Sequence, residues 1–261
     1  MISPTLSIVM TINDRPRDVL KRVFDSIRDE PFDQLVICLD ATPAPLPYFI
    51  SEYWSHLGSR LYMVSIVRDP GWLSPVKAWN TAFAHVISEL TYCISSEVIQ
   101  TCGNIARAKE ILASEPAVLF GKAECSCGPE GKEVDWGGSA PGNLLVDSAH
   151  PRPLGFIMAM PTWLLRATGG YDETFMQGYW YDDDDFVYRL WQQGVPFVFN
   201  DTVSGLHQHH ARPILDTPSG QAGIANNRSY IIRKHGHERP WAQEKTVIER
   251  VSSTRTIIYH A

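Results

Sequence analysis

The chain of 261 residues contains no run of about 18 or more apolar residues, so no membrane-spanning helix is expected. Its first residues, Met1-Ile2-Ser3-Pro4-Thr5, carry no basic stretch ahead of the apolar one, and they do not read as a signal peptide. Cysteine is sparse and odd in number: 5 residues, at positions 38, 93, 102, 125 and 127. Only Cys125 and Cys127 lie close together, and one C-x-C pair without a second supports neither a zinc site nor a disulfide framework. Cys38 and Cys93 sit inside apolar runs and read as core residues. The expected compartment is therefore reducing and cytoplasmic. Positive charge is also short, with 23 Lys and Arg against 29 Asp and Glu for a net charge of -6. Such a chain gains no general attraction to nucleic acid or to an anionic membrane. There is no internal repeat, no low-complexity tract, and no basic glycine-rich phosphate loop near the N-terminus.

What is present is globular. Hydrophobic residues make up 44% and charged residues 20%, which suits a packed core and not a disordered chain. Short apolar runs alternate with helical patterns. Leu6 to Ile12 reads as a buried strand, followed by a helix that Asn13 or Asp14 would cap with Pro16 in its first turn. Leu35 to Leu39 is a second strand ending at Asp40, and Leu61 to Val67 a third. Val76, Trp79, Phe83, Val86, Ile87 and Leu90 fall on one helical face. Tyr92-Cys93-Ile94 and Ala117 to Phe120 are further strands. Strand–helix alternation predicts an α/β fold with a mainly parallel central sheet flanked by helices.

In such sheets ligands bind at the carboxyl ends of the strands. Those ends carry Thr11, Asn13 and Arg15, then Asp40, then Arg68 and Asp69, then Ser95-Ser96-Glu97. Polar residues at four ends together point to a site. Residues 123–153 are turn-rich and read as a long excursion. The chain then becomes helical from Pro161, Phe197-Val198-Phe199 is a late strand, and residues 211–261 are expected to form a helical extension. One domain over residues 1–261 is expected, with parts at 1–122, 123–210 and 211–261.

Two clusters carry chemistry. Asp182-Asp183-Asp184-Asp185 lies between Tyr179-Trp180-Tyr181 and Phe186-Val187-Tyr188. Like charges this close raise some of their pKa values, and acids pressed between aromatics suit a partly desolvated pocket. The start of a helix would also favour carboxylates there through its free amides. His207-Gln208-His209-His210 is the second cluster, since imidazole with carboxylate suits a borderline divalent ion such as manganese. His207 and His209, at i and i+2 on a strand, point the same way. Glu97 follows a buried strand, where a carboxylate has no packing role.

Taken in order, these pieces resemble the inverting glycosyltransferases of family 2, which have the GT-A (Rossmann-like) fold. The matching stretches are Leu6–Pro16 (LSIVMTINDRP), Leu35–Thr42 (LVICLDAT), Lys77-Ala78-Trp79-Asn80 and Gly169–Gly194 (GGYDETFMQGYWYDDDDFVYRLWQQG). The HQHH stretch, Asn227-Arg228-Ser229-Tyr230 and Lys234-His235-Gly236 follow, so the resemblance runs from about Leu6 to Gly236. It implies a transferase that moves a sugar from a nucleotide-diphosphate sugar, most often UDP-linked, to a hydroxyl acceptor such as a saccharide or glycan. Thr11, Asn13, Arg15 and Asp40 would then hold base and ribose, and Asn80 and Ser95 would help bind the donor. Asp183, with Asp182 as rival, would be the general base, and Asp185 would take the further acid's place. Glu97 and His207, with His209 as second choice, would hold Mn2+ or Mg2+. The chain departs from the family at Ser95-Ser96-Glu97, where the family has Asp-x-Asp. That departure keeps a catalytically decayed sugar- or nucleotide-binding protein among the readings. A nucleotidyltransferase, a metal-dependent hydrolase, and a transferase acting on a lipid-linked or nucleic-acid acceptor are the others.

Overall fold

Strand β1 (Leu6–Ile12) is apolar at successive positions, and the reason is that both of its faces are covered. Ile8, Met10 and Ile12 turn to one core layer, while Val9 turns to the other. The computed structural model describes residues 3–43, 45–125, 144–208 and 217–261. β1 pairs in parallel with β2 (Gln34–Asp40) and with β4 (Leu90–Ile94), and β2 pairs in parallel with β3 (Leu61–Ile66). These four strands are the parallel core predicted from sequence. Helices α1 (Arg17–Ile27), α2 (Leu46–Tyr53) and α4 (Asn104–Ser114) cover one face. Helices α3 (Val76–Phe83), α5 (Thr162–Thr168), α6 (Asp182–Trp191) and α7 (Pro218–His235) cover the other.

Beyond β4 the sheet becomes mixed. β8 (Ile157–Pro161) lies antiparallel between β4 and β6 (Val118–Cys125), and β9 (Phe197–His207) then runs parallel to β6. Short strands β5 (Val98–Gln100) and β7 (Leu144–Val146) add to β9 and β6. The helical extension expected over 211–261 holds for α7 and fails after it. Residues there form a hairpin, β10 (Thr246–Ser252) and β11 (Arg255–His260), which continues the sheet from β9. The full order is β10-β11-β9-β6-β8-β4-β1-β2-β3.

Two smaller expectations also change. The helix predicted from Val76 to Leu90 ends at Phe83, because Gln34 captures the following turn. Its Nε2 donates to the His85 carbonyl at 2.9 Å and its Oε1 accepts from the Ile87 amide at 3.2 Å. Helix α1 begins only at Arg17, with no side-chain cap, since Asn13 is spent elsewhere. No helix among the described residues is long and apolar enough to cross a membrane.

Candidate active site

All four strand ends singled out above are tied to one another. Asp40, at the end of β2, is buried and pairs with Arg68 Nη1 at 2.5 Å, which links β2 to the segment after β3. Asn13, after β1, hydrogen-bonds the same carboxyl. Burial raises the Asp40 carboxyl above its usual range, against the pull of Arg68 and Asn13. Arg15 Nε donates to Glu97 Oε1 at 2.6 Å, joining the β1 and β4 ends. Thr11 is half-buried beside Cys38 in the β1–β2 ladder.

Strand pairing sets the Glu97 and His207 backbones on neighbouring strands, one register position apart. β5 follows Glu97 directly, and Val98 pairs with His207 across to β9. The Gln208 amide extends that ladder by donating to the Glu97 carbonyl at 2.9 Å. Gln208 also donates from Nε2 to the Val19 carbonyl at 3.1 Å, which anchors the end of β9 on α1. His209 lies outside the described residues, as do Cys127 and Trp136.

The acid run starts α6, as expected, and its four members differ. Asp182 accepts from Ser74 Oγ at 2.6 Å, and burial raises its carboxyl while Ser74 and the helix amides oppose that rise. Asp183 accepts from the Tyr171 hydroxyl at 2.9 Å. Asp184 is pushed up to about 6 by burial, against nearby Arg239 and Arg152. Asp185 is fully buried between two cations and an imidazole: Arg189 Nε at 2.8 Å, Lys234 Nζ at 2.6 Å and His235 Nε2 at 2.7 Å. It holds α6 to α7 and is a structural anchor.

A single dipeptide joins the acids to the Glu97–His207 end. Gly155 approaches so closely that a Cβ there would lie 3.3 Å from Asp183 Oδ1. The next residue, Phe156, accepts the Ser95 amide on its carbonyl at 3.3 Å. Its ring meets His207 edge-on, with centroids 5.2 Å apart. Asp183, Ser95 and His207 thus border the same two residues at the carboxyl end of the parallel strands.

The turn before α6 is built to present the acids. Trp180 and Tyr181 both adopt left-handed backbone, with φ of 63° and 65°, which costs free energy for residues with a Cβ. Asn227 of α7 holds the turn by donating Nδ2 to the Phe175 and Trp180 carbonyls, each at 3.1 Å. Sequence reasoning missed Ser74, Tyr171 and Asn227 as support for the acids. Tyr171 inside the Gly169–Gly194 motif and Asn227 inside the Asn227–Tyr230 stretch were the signals that could have pointed to two of them. Asn80, expected at the donor, holds Tyr171 in the structure. Its Nδ2 donates to the Tyr171 carbonyl at 2.9 Å and to Glu173 Oε1 at 3.1 Å, and its Oδ1 accepts the Tyr171 amide at 2.7 Å.

A divalent ion would find a carboxylate at Glu97 and an imidazole at His207. No group of three His, Cys, Asp or Glu suited to a metal exists among the described residues. A carboxylate with substrate phosphate oxygens fits Mn2+ or Mg2+, and an imidazole nitrogen in the set would favour Mn2+ over Mg2+.

No protein-family model matches the chain, and no curated protein matches it. Solved structures do. The mannosyltransferase PcManGT from Pyrobaculum calidifontis, in complex with GDP-Man and Mn2+, aligns with a TM-score of 0.56 at 15% identity, over 93% of this chain and 64% of that one. GalNAc-T7 with UDP, GalNAc and Mn2+ aligns with a TM-score of 0.62 at 13% identity, over 87% and 48%. S. aureus TarS 1-349 in complex with UDP-GlcNAc aligns with a TM-score of 0.60 at 12% identity, over 80% and 59%. The chain has the GT-A fold. It spans about half to two thirds of the length of these three GT-A proteins. Identities this low establish the GT-A architecture and leave the reaction to be argued from the site.

Proposed function

We propose that this chain is a nucleotide-sugar glycosyltransferase whose general base is Asp183. The observation that carries this reading is the placement of Asp183 on Gly155, next to the Phe156 that Ser95 and His207 border. A base and a diphosphate end within one short stretch of the sheet edge suit displacement at a sugar carbon. The three GT-A proteins above were solved with GDP-Man, with UDP and GalNAc, and with UDP-GlcNAc, which supports a nucleotide-sugar donor. A UDP-linked sugar is the proposed donor, and a glycan hydroxyl the proposed acceptor.

Thr11, Asn13 and Asp40 would line the nucleoside, and the Asp40–Arg68 pair would keep that wall rigid. Arg15 would face the diphosphate. Glu97 and His207 would hold the divalent ion. The chemistry such an ion supplies when bound is neutralisation of the charge on the departing diphosphate. Asp183 would take the proton from the acceptor hydroxyl as that oxygen attacks the anomeric carbon. Attack from the face opposite the diphosphate gives inversion. Negative charge on Asp182 and Asp184, crowded beside Asp183, would raise that carboxylate's affinity for a proton and so strengthen it as a base. Trp180, about half exposed beside the acids, offers an aromatic face to an acceptor ring.

Release of nucleoside diphosphate from a panel of UDP- and GDP-sugars, with manganese present and water or oligosaccharide as acceptor, tests this reading. Turnover of one nucleotide sugar is the expected result. Absence of both turnover and nucleotide binding across the panel would overturn it.

A further inference from the structure

Tyr171 is held more firmly than any packing role requires. Its amide and carbonyl are clamped by the two ends of the Asn80 side chain, at 2.7 and 2.9 Å. Gly170 before it takes φ 74°, and a Cβ there would stand 2.4 Å from Asn80 Oδ1, so the backbone has no room to shift. The ring is 6% exposed and stacks on Phe186 at 4.3 Å and on Phe83 at 6.1 Å between centroids. Phenylalanine would satisfy all of that packing equally well. The hydroxyl is the extra feature, and a hydroxyl buried among rings needs a partner. Its partner is Asp183 Oδ1 at 2.9 Å.

We propose that Tyr171 is a positioning residue for Asp183: its hydroxyl fixes the plane of that carboxylate and tunes its basicity. The inference rests on the reading of Asp183 as the general base. Burial and the acids around it keep the Tyr171 phenol far above its ordinary range, so the group remains an O–H donor throughout the working pH range. A donor to the ionised form stabilises that form. The Tyr171 hydroxyl therefore favours the ionised Asp183 carboxylate over its protonated form. Titratable groups that feel the Asp183 charge include Cys93 on β4 and Tyr171 itself, and Asp182 and Asp184 flank it in sequence on α6. Burial holds the Cys93 thiol neutral. Arg152 and Arg239 act on the far side, at Asp184.

The test is Tyr171→Phe, read by pH–rate profile and by nucleotide titration. Turnover at neutral pH should fall about tenfold, as for loss of a hydrogen bond to a charged group. The acid limb should move up by about one pH unit, with nucleotide affinity unchanged. A purely structural hydroxyl would leave the limb in place, and that result overturns the proposal. Should Tyr171→Phe fold poorly, 3-fluorotyrosine at position 171 keeps the packing and donates more strongly, so the limb should move down instead. An unmoved limb in that variant also overturns the proposal. Asp183→Asn separates the two ideas. Its inactivity beside an unaffected Tyr171→Phe removes only the role of Tyr171, whereas wild-type turnover in Asp183→Asn removes the base and the positioning role together.

Discussion

Arg15 closes on Glu97: the guanidinium Nε donates to the carboxylate at 2.6 Å, with the Glu97 side chain 9% exposed. One residue assigned to the nucleotide thus sits on the residue assigned to the metal. A guanidinium and a divalent ion compete for one carboxylate, and a diphosphate attracts the guanidinium away. Mn2+ and nucleoside diphosphate should therefore bind cooperatively, each raising affinity for the other by about tenfold. Arg15→Ala should tighten Mn2+ binding in the absence of nucleotide and weaken nucleotide binding. Isothermal titration of Mn2+ with and without UDP checks both. Equal Mn2+ affinity in wild type and Arg15→Ala would contradict the competition.

Asp184 sets a pH dependence whose sign is fixed. Its carboxyl rises from 3.8 to about 6 on folding, so the folded chain binds the proton more tightly than the unfolded one. The stability this contributes is present at low pH and is lost as pH rises from about 4 to about 6. Asp184→Asn should flatten part of that slope and raise Tm at pH 7, while leaving Tm at pH 4 unchanged. Asp182, shifted the same way by burial, supplies the rest. Thermal unfolding across pH 4 to 7 gives the comparison, and an unchanged slope in Asp184→Asn would contradict it.

Asp185 anchors rather than reacts. Replacing it with Asn removes the charge that Arg189 on α6 and Lys234 on α7 share, at a position with no exposure. Breaking a buried ion pair from one side costs about 3–5 kcal/mol. Urea unfolding of Asp185→Asn should show a loss of that size, and a change within about 0.5 kcal/mol, the range of ordinary surface substitutions, would contradict the anchoring role.

How much of this was legible in the sequence depends on whether a signal was local. β1, β2 and β4 are buried almost throughout, so they announce themselves as apolar runs, while the edge strand β3 is only half-buried. The acid run reads as a helix start because amides at that end favour carboxylates, and α6 does begin at Asp182. β8 was hidden because its five residues follow a proline-rich segment and carry no turn signal of their own. The β10–β11 hairpin was read as helical because β10 is almost wholly exposed and lacks alternation into a core. The role of Asn80 was out of reach: its partner Tyr171 lies 91 residues away in sequence, and its residue type alone suits a donor contact equally well. The same holds for Asn227, which acts on carbonyls of the turn at 175–180.

Asn227 carries its own prediction. Its side chain keeps the left-handed Trp180–Tyr181 turn in place, so Asn227→Ala should release that turn and disorient the acids. Two carbonyls lose their donor, at a cost of about 2 kcal/mol. Turnover should fall by about tenfold or more, since misplacement by roughly 1 Å is enough to slow a positioned reaction. Nucleotide affinity, set at the other strand ends, should hold. A parallel loss of nucleotide binding would show that Asn227 acts on the fold as a whole.

The central claim is that Asp183 is the base of a nucleotide-sugar transferase, and Asp183→Asn tests it most directly. Wild type and variant are compared for nucleotide-sugar turnover and, by titration, for nucleoside diphosphate affinity. Turnover lost by a factor of about a hundred or more, with affinity unchanged, is the predicted result. Wild-type turnover in Asp183→Asn would contradict it.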